Sequence, residues 1–251
     1  MGKVLSFFLA KGGVGKSTVS FHTAVALSRM GFRVIYVDAS NTISPAYFIG
    51  LDNHKGLKEY YFNNAEITSL VYQTKLRNLS IVPGGAAFRK SAIDLSLLGS
   101  TKNKTKQLLW YLKVNFDYVV IDNSTPASSI TLDIIEDADG VVFPCLATSF
   151  THKEDQTTFA LFNLYNLYNI KAIGFVISNT APDIKAKMLL PVIKYQQSIK
   201  LPILKFIDYS SFLETYDINT ETGKLGHPYA KYTKQYKELA EIIIEKLSKM
   251  V

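Results

Sequence analysis

The chain has 251 residues, 47% of them apolar and 20% charged, which places it in the ordinary globular range and excludes disordered and fibrous classes. Its one cysteine, Cys145, excludes an internal disulfide, a Cys-rich zinc site and an iron–sulfur cluster held by this chain alone; the thiol reads as a small buried hydrophobe in a reducing, cytoplasmic compartment. Net charge is +7 and unevenly spread: residues 1–125 hold 15 basic and 7 acidic side chains, residues 126–251 hold 13 and 14. No run approaches the roughly 18 uninterrupted apolar residues of a membrane span. The first apolar run leads into lysines and glycines, not into a cleavage site, so neither secretion nor a membrane location is expected.

Strand-length apolar runs alternate with helix-length amphipathic stretches. In chain order the pattern predicts a strand at 4–9, a helix at 17–30 closed by Gly31, and strands at 33–38 and 79–83. A helix at 102–115, a strand at 118–122, a helix at 127–137 and a strand at 140–144 follow. The last third adds a helix at 152–168, a strand at 172–178, a helix at 184–198, a strand at 203–207 and a helix at 229–249. The strands are rich in Val, Ile, Leu and Phe with little alternation, as parallel strands covered on both faces require. The expectation is an α/β fold: a doubly wound, mostly parallel sheet with helices on both faces, in a single domain spanning 1–251. In the last helix Tyr229, Tyr232, Tyr236, Leu239, Ile243 and Leu247 fall on one stripe, which reads as packing against the sheet.

The positive excess is concentrated. Lys75, Arg77, Arg89, Lys90, Lys102, Lys104, Lys106 and Lys113 share their stretch with one acid, Asp94. Such a field attracts polyanions, nucleic acid among them; the plainer reading is a solvated face.

The segment Lys11-Gly12-Gly13-Val14-Gly15-Lys16-Ser17-Thr18 follows a predicted strand and opens a predicted helix, the context a phosphate-binding loop needs. Its glycines let backbone N–H groups turn inward around phosphate oxygens, and the following helix presents its unsatisfied donors and positive dipole end to the same anion. Lys16 would neutralise the β and γ phosphates of a nucleotide, and the Ser17 hydroxyl would ligate Mg2+.

With a second lysine at Lys11, the loop resembles the deviant Walker A loop of the ParA/MinD family of P-loop ATPases. In that family the early lysine acts in trans on the partner's phosphates inside a nucleotide-sandwiched dimer, so the resemblance implies a homodimer with ATP and Mg2+ as cofactors. Further along, Val34-Ile35-Tyr36-Val37-Asp38 resembles the strand into the first switch, and Ile81-Val82-Pro83-Gly84-Gly85 the third-strand turn. Asp117-Tyr118-Val119-Val120-Ile121-Asp122 resembles the Walker B strand, with Asp122 in the Mg2+ shell; on residue type alone Asp122 also fits a helix N-cap. Ile177-Ser178-Asn179 resembles the strand end from which an Asn contacts the adenine; taken alone, Asn179 is a turn residue.

Three departures stand out. Ser40 occupies the place of the acid that usually follows the switch aspartate by two positions, and a serine cannot take a proton from water; weak ATPase activity is the expectation, with Asp38 left to activate the water. Ile207 stands where a Pro is common at the end of the last strand. Asn123-Ser124-Thr125-Pro126 replaces the usual Thr-Pro-Pro type of turn. The chain ends within or just past its last predicted helix and starts its first strand near residue 4, so the resemblance is to small ParA proteins without an N-terminal arm or a membrane tail. What this implies is a Mg-ATP-dependent, dimerising switch that binds DNA nonspecifically, through the stretch from Lys75 to Lys113, and acts in DNA partition or positioning with an unknown partner protein and no membrane. An ATP-stabilised dimeric scaffold with little or no hydrolysis is the alternative.

Overall fold

All seven apolar runs become strands of one sheet, because each is long enough to span it and apolar on both faces. The computed structural model describes residues 1–9, 11–40, 45–51, 53–84, 101–125, 127–146, 170–180, 201–208 and 227–250, without the side chains of 47–48, 179–180 and 227–232. The strands are β1 (Lys3–Phe7), β2 (Val34–Ala39), β3 (Tyr72–Gln73), β4 (Leu79–Val82), β5 (Tyr118–Asn123), β6 (Gly140–Leu146), β7 (Ala172–Thr180) and β8 (Ile203–Asp208). They lie in the order β3-β4-β2-β5-β1-β6-β7-β8. Every pairing is parallel except β3 with β4.

The helices are α1 (Lys16–Arg29), α2 (Pro45–Phe48), α3 (Leu57–Asn63), α4 (Lys102–Asn115), α5 (Ser129–Asp137) and α6 (His227–Ser248). Successive strand residues point to opposite faces, and two cores result. On one face Leu5, Phe7, Val34, Tyr36 and Val120 pack with Val19, Leu27, Leu239 and Ile243 of α1 and α6. On the other Val4, Ile35, Val37, Val119 and Ile121 pack with Leu108, Leu112, Ile130 and Ile134 of α4 and α5. This is the doubly wound arrangement expected. Tyr236, Leu239, Ile243 and Leu247 are all at most 3% exposed, so the stripe of the last helix is core; Tyr229 and Tyr232 lie outside the described side chains.

The differences from expectation are local. The first strand stops at Phe7, not at Leu9: Phe8 and Leu9 stay buried, and Phe8 N–H still bonds Val142 O at 3.1 Å, but the backbone is already turning into the loop. Short elements were not expected. β3 has two residues, too few to show a period, whereas Leu57, Tyr60 and Tyr61 of α3 are buried at helical spacing and were legible. The expected helices at 152–168 and 184–198 lie outside the described residues.

This topology fixes where a ligand can sit. β1 lies between β5 and β6; α1, which follows β1, packs on one face of the sheet and α5, which follows β5, on the other, and this divergence opens a crevice at the carboxyl ends of β1 and β5. The glycine-rich loop leaves the end of β1 at this point.

Candidate nucleotide-binding site

The loop is held from below and left open above. Val14 is 1% exposed, and its carbonyl accepts a hydrogen bond from Ser178 Oγ at 3.1 Å, which pins the loop to the end of β7. Gly13 and Gly15 have φ of 72° and 83°, a left-handed conformation that glycine adopts without strain. A side chain built at Gly12 or Gly13 would meet nothing within 4 Å, so the loop is open at both positions. Gly15 sits at the N-cap of α1 and has no side chain to cap it, which leaves first-turn N–H groups for an anion. Lys16 Nζ reaches back across the loop to Lys11 O at 3.0 Å. Burial lowers the Lys16 pKa, and the charge of Asp122 opposes that shift.

The register brings the acids to the same place. Asp38 on β2 is the direct neighbour of Asp122 on β5, and Asp122 is in turn the neighbour of Phe7 at the end of β1. Asp122 is fully buried; burial first, then the charge of Asp38, raises its pKa to about 7 against the Ser17 hydrogen bond and the Lys16 charge. Tyr36 Oη donates to Asp122 Oδ2 at 3.2 Å, while Oδ1 of the same carboxylate has no hydrogen-bond partner. The N-cap reading of Asp122 is thereby answered: α5 is capped by Ser128, whose Oγ accepts from Thr131 N at 3.2 Å.

Asp38 is 4% exposed, and its Oδ1 accepts from both the backbone N–H and the hydroxyl of Ser40, at 3.2 and 2.8 Å. The residue in place of the usual acid is therefore tied to the acid beside it. After Asp122 the polar turn is latched down: Asn123 Nδ2 donates to Ser6 Oγ at 2.8 Å and Phe7 O at 3.0 Å, and Thr125 Oγ1 donates to Leu9 O at 3.2 Å. Pro126 lies outside the described residues.

Gly12, Gly13, Gly15, Lys16, Ser17, Thr18, Ser40, Asn123 and Thr125 line one cavity of about 350 Å³. Of the sequence-predicted residues, the phosphate loop with Ser17 lines it; Asp38 is buried behind it, bonded to Ser40 of its wall, and Asp122 is buried next to Asn123 of the same wall. Lys11 is exposed at the rim; Asn179 is on β7, next to Ser178, with its side chain outside the description. Ile207 is buried on β8. The residues fit a phosphate group and a cation: a glycine loop with open space beside it at an uncapped helix N-terminus, a desolvated lysine, the Ser17 hydroxyl in the cavity lining, and a fully buried carboxylate oxygen without a donor. Among the described residues no group of three or more His, Cys, Asp or Glu could hold a metal, so a cation here would share one or two protein groups with phosphate, the habit of Mg2+.

Sequence reasoning missed Tyr36, Ser20, Ser178 and Asn123 as parts of the site. The signal was present for two of them. A phenol two residues before Asp38 in an aliphatic strand, and an amide directly after Asp122, are polar groups where burial demands partners.

The basic stretch divides. Lys102 pairs with Glu136 at 2.8 Å, Lys113 with Asp139 at 2.8 Å, and Lys104 Nζ donates to Tyr61 O at 2.7 Å. Lys75, Arg77 and Lys106 are exposed, and Arg89, Lys90 and Asp94 lie outside the described residues. Among the described residues no helix is long and apolar enough to cross a membrane.

Comparison with known proteins agrees with this geometry. The sporulation initiation inhibitor protein Soj of Bacillus subtilis is 27% identical over 147 residues, which is 57% of this chain and 58% of Soj. The chromosome partitioning protein ParA of Myxococcus xanthus is also 27% identical over 147 residues, 57% of this chain and 52% of that protein. The chain therefore spans little more than half the length of these curated relatives. The septum site-determining protein MinD of Pyrococcus horikoshii, solved with Mg-ADP, superposes with a TM-score of 0.75 over 100% of this chain and 99% of that one at 18% identity, a likeness of fold. The AAA domain family matches residues 2–166. The chain belongs to that family, as a P-loop ATPase of the ParA/MinD type.

Proposed function

We propose that residues 1–251 form one P-loop ATPase domain that works in the cytoplasm as a Mg-ATP-dependent, dimerising switch in partition or positioning. The observation that carries this reading is one cavity lined by the phosphate loop, Lys16 and Ser17, with the buried Asp122 carboxylate near enough for its charge to act on Lys16. The N–H groups from Gly12 to Thr18, Val14 included, hold phosphate oxygens, and Lys16 neutralises them. Ser17 and Asp122 hold Mg2+, which when bound spreads the charge of the β and γ phosphates. Lys11, exposed at the rim, completes the partner protomer's site. Asp38 orients the attacking water, and Asn179 contacts the base. The relatives' names, a chromosome partitioning protein among them, support the biological class.

Nonspecific DNA binding is part of the proposal and rests on the one-sided charge, carried at the surface of that stretch by Lys75, Arg77 and Lys106. Its affinity should fall steeply with salt and show little sequence preference; salt-independent binding would refute phosphate contacts as its source. The partner protein is not named by the sequence.

The Ser40–Asp38 contacts favour a second reading, a dimeric scaffold stabilised by ATP with negligible turnover. Ser40 adds no base, and its two donors occupy an oxygen of the nearest carboxylate. Light scattering with Mg2+ plus ATP, ADP or no nucleotide, followed by phosphate release on the same samples, separates the readings. An ATP-specific dimer that releases phosphate supports the switch, one that persists without release supports the scaffold, and no ATP-dependent change refutes both. A Ser40→Asp variant should hydrolyse faster than the parent; an unchanged rate would show that this position does not limit turnover.

A further inference from the structure

β2 is aliphatic at Val34, Ile35 and Val37 yet carries a phenol at Tyr36, fully buried and set edge-on against the Phe21 ring at 5.2 Å. A buried hydroxyl in such a place is costly unless it is hydrogen-bonded, so its partners matter. Tyr36 Oη donates to Asp122 Oδ2 at 3.2 Å and lies 3.4 Å from Ser20 Oγ. The phenol's one proton goes to the carboxylate. Ser20 Oγ shares its one proton between Ser17 O at 3.1 Å and Tyr36 Oη. The result is a relay: Asp122 to Tyr36, Tyr36 to Ser20, Ser20 to the Ser17 backbone.

The relay links the Asp122 carboxylate to the backbone of Ser17, the two residues assigned to the cation. We propose that Tyr36 is a positioning residue for the metal site: its hydroxyl fixes the Asp122 carboxylate by Oδ2, leaving Oδ1 for the metal shell, and through Ser20 it couples that orientation to the Ser17 backbone. This rests on the reading that Ser17 and Asp122 hold Mg2+. A phenylalanine would fill the same space against Phe21 but would free the carboxylate to rotate about its terminal torsion, which is broad and weakly preferred. Partners that orient a metal-binding group in this way change metal affinity without touching the metal.

The test is a Mg2+ titration of a fluorescent ADP analogue bound to the full chain, against the same analogue in EDTA, with thermal melts alongside. Tyr36→Phe should raise the half-saturating Mg2+ concentration by about tenfold, whereas the affinity in EDTA stays within about twofold. Ser20→Ala should shift it in the same direction by a smaller factor, and carries the test alone if Tyr36→Phe does not fold. An unshifted Mg2+ midpoint in a folded variant, or an equal loss of affinity with and without Mg2+, would overturn the proposal and leave Tyr36 a packing residue. Asp122→Asn isolates the premise: if it keeps the parent's Mg2+ dependence, the assignment of Asp122 to the cation fails, and the proposal fails with it.

Discussion

His22 lies in α1 one turn beyond the phosphate loop, stacked on Tyr236 of α6 with ring centroids 4.9 Å apart. Its Nδ1 is 2.8 Å from Thr18 O, and a carbonyl only accepts, so Nδ1 carries the proton of a neutral imidazole. Burial lowers the His22 pKa from 6.5 to about 4, with the charge of Arg29 adding to the shift and the Thr18 hydrogen bond opposing it. Above pH 6.5 the ring is neutral in both folded and unfolded chains and contributes no pH dependence. Below it the unfolded chain takes up a proton that the folded chain accepts only near pH 4, so the unfolded state binds more protons and stability falls as pH falls through this window. Each unit of separation is worth about 1.4 kcal/mol, so the loss from this group alone reaches about 2 kcal/mol at pH 5 and about 3 kcal/mol at the bottom of the window. His22→Phe keeps a ring against Tyr236 and removes the titration. Urea unfolding of both proteins at pH 7 and pH 5 should show the parent losing about 2 kcal/mol more than the variant over that interval. Equal losses would refute the claim that this histidine is buried neutral.

Three further substitutions test the frame around the site. Gly174 in β7 has φ of 152°, and a Cβ there would lie 2.3 Å from Pro202 O; Gly174→Ala should cost about 2–3 kcal/mol by urea unfolding. Gly15→Ala would place a Cβ 3.0 Å from Ser178 Oγ at a φ of 83°, disturbing the bond that pins the loop, so nucleotide affinity measured by calorimetry should drop by tenfold or more, roughly the effect of about 1.4 kcal/mol. Asp139 accepts from Val4 N at 2.8 Å and from Lys113 Nζ at 2.8 Å, joining the starts of β1 and β6 to α4. Asp139→Ala leaves a buried amide without that acceptor and should lower stability by about 1–3 kcal/mol in urea unfolding.

The sheet and the phosphate loop were legible because each rests on a short-range signal. A strand buried on both faces shows as an unbroken apolar run, and the loop as glycines ending in Lys16 and Ser17 between a strand and a helix. The resemblance gave Asp38 and Asp122 separate roles in one site; that they lie side by side depends on the register of β2 against β5, which no local pattern encodes. The same holds for the polar relay beneath the site. Ser17 and Ser20 share a helix face at i,i+3 spacing, yet their meeting with Tyr36 and Asp122 depends on α1 crossing two non-adjacent segments of the chain. The basic stretch misled in the other direction. Its lysines sit close in sequence, but α4 turns Lys102, Lys104 and Lys113 toward acceptors on three different elements, so the surface charge is smaller than the count.

The central claim is that Lys16 and the buried Asp122 carboxylate build one site for a nucleotide and its Mg2+. Calorimetric titration of the chain with ADP, with and without Mg2+, in the parent and in Lys16→Ala, tests it most directly. The account predicts saturable binding that Mg2+ tightens and that Lys16→Ala abolishes. Binding of equal strength in Lys16→Ala, or no binding by the parent, would contradict it.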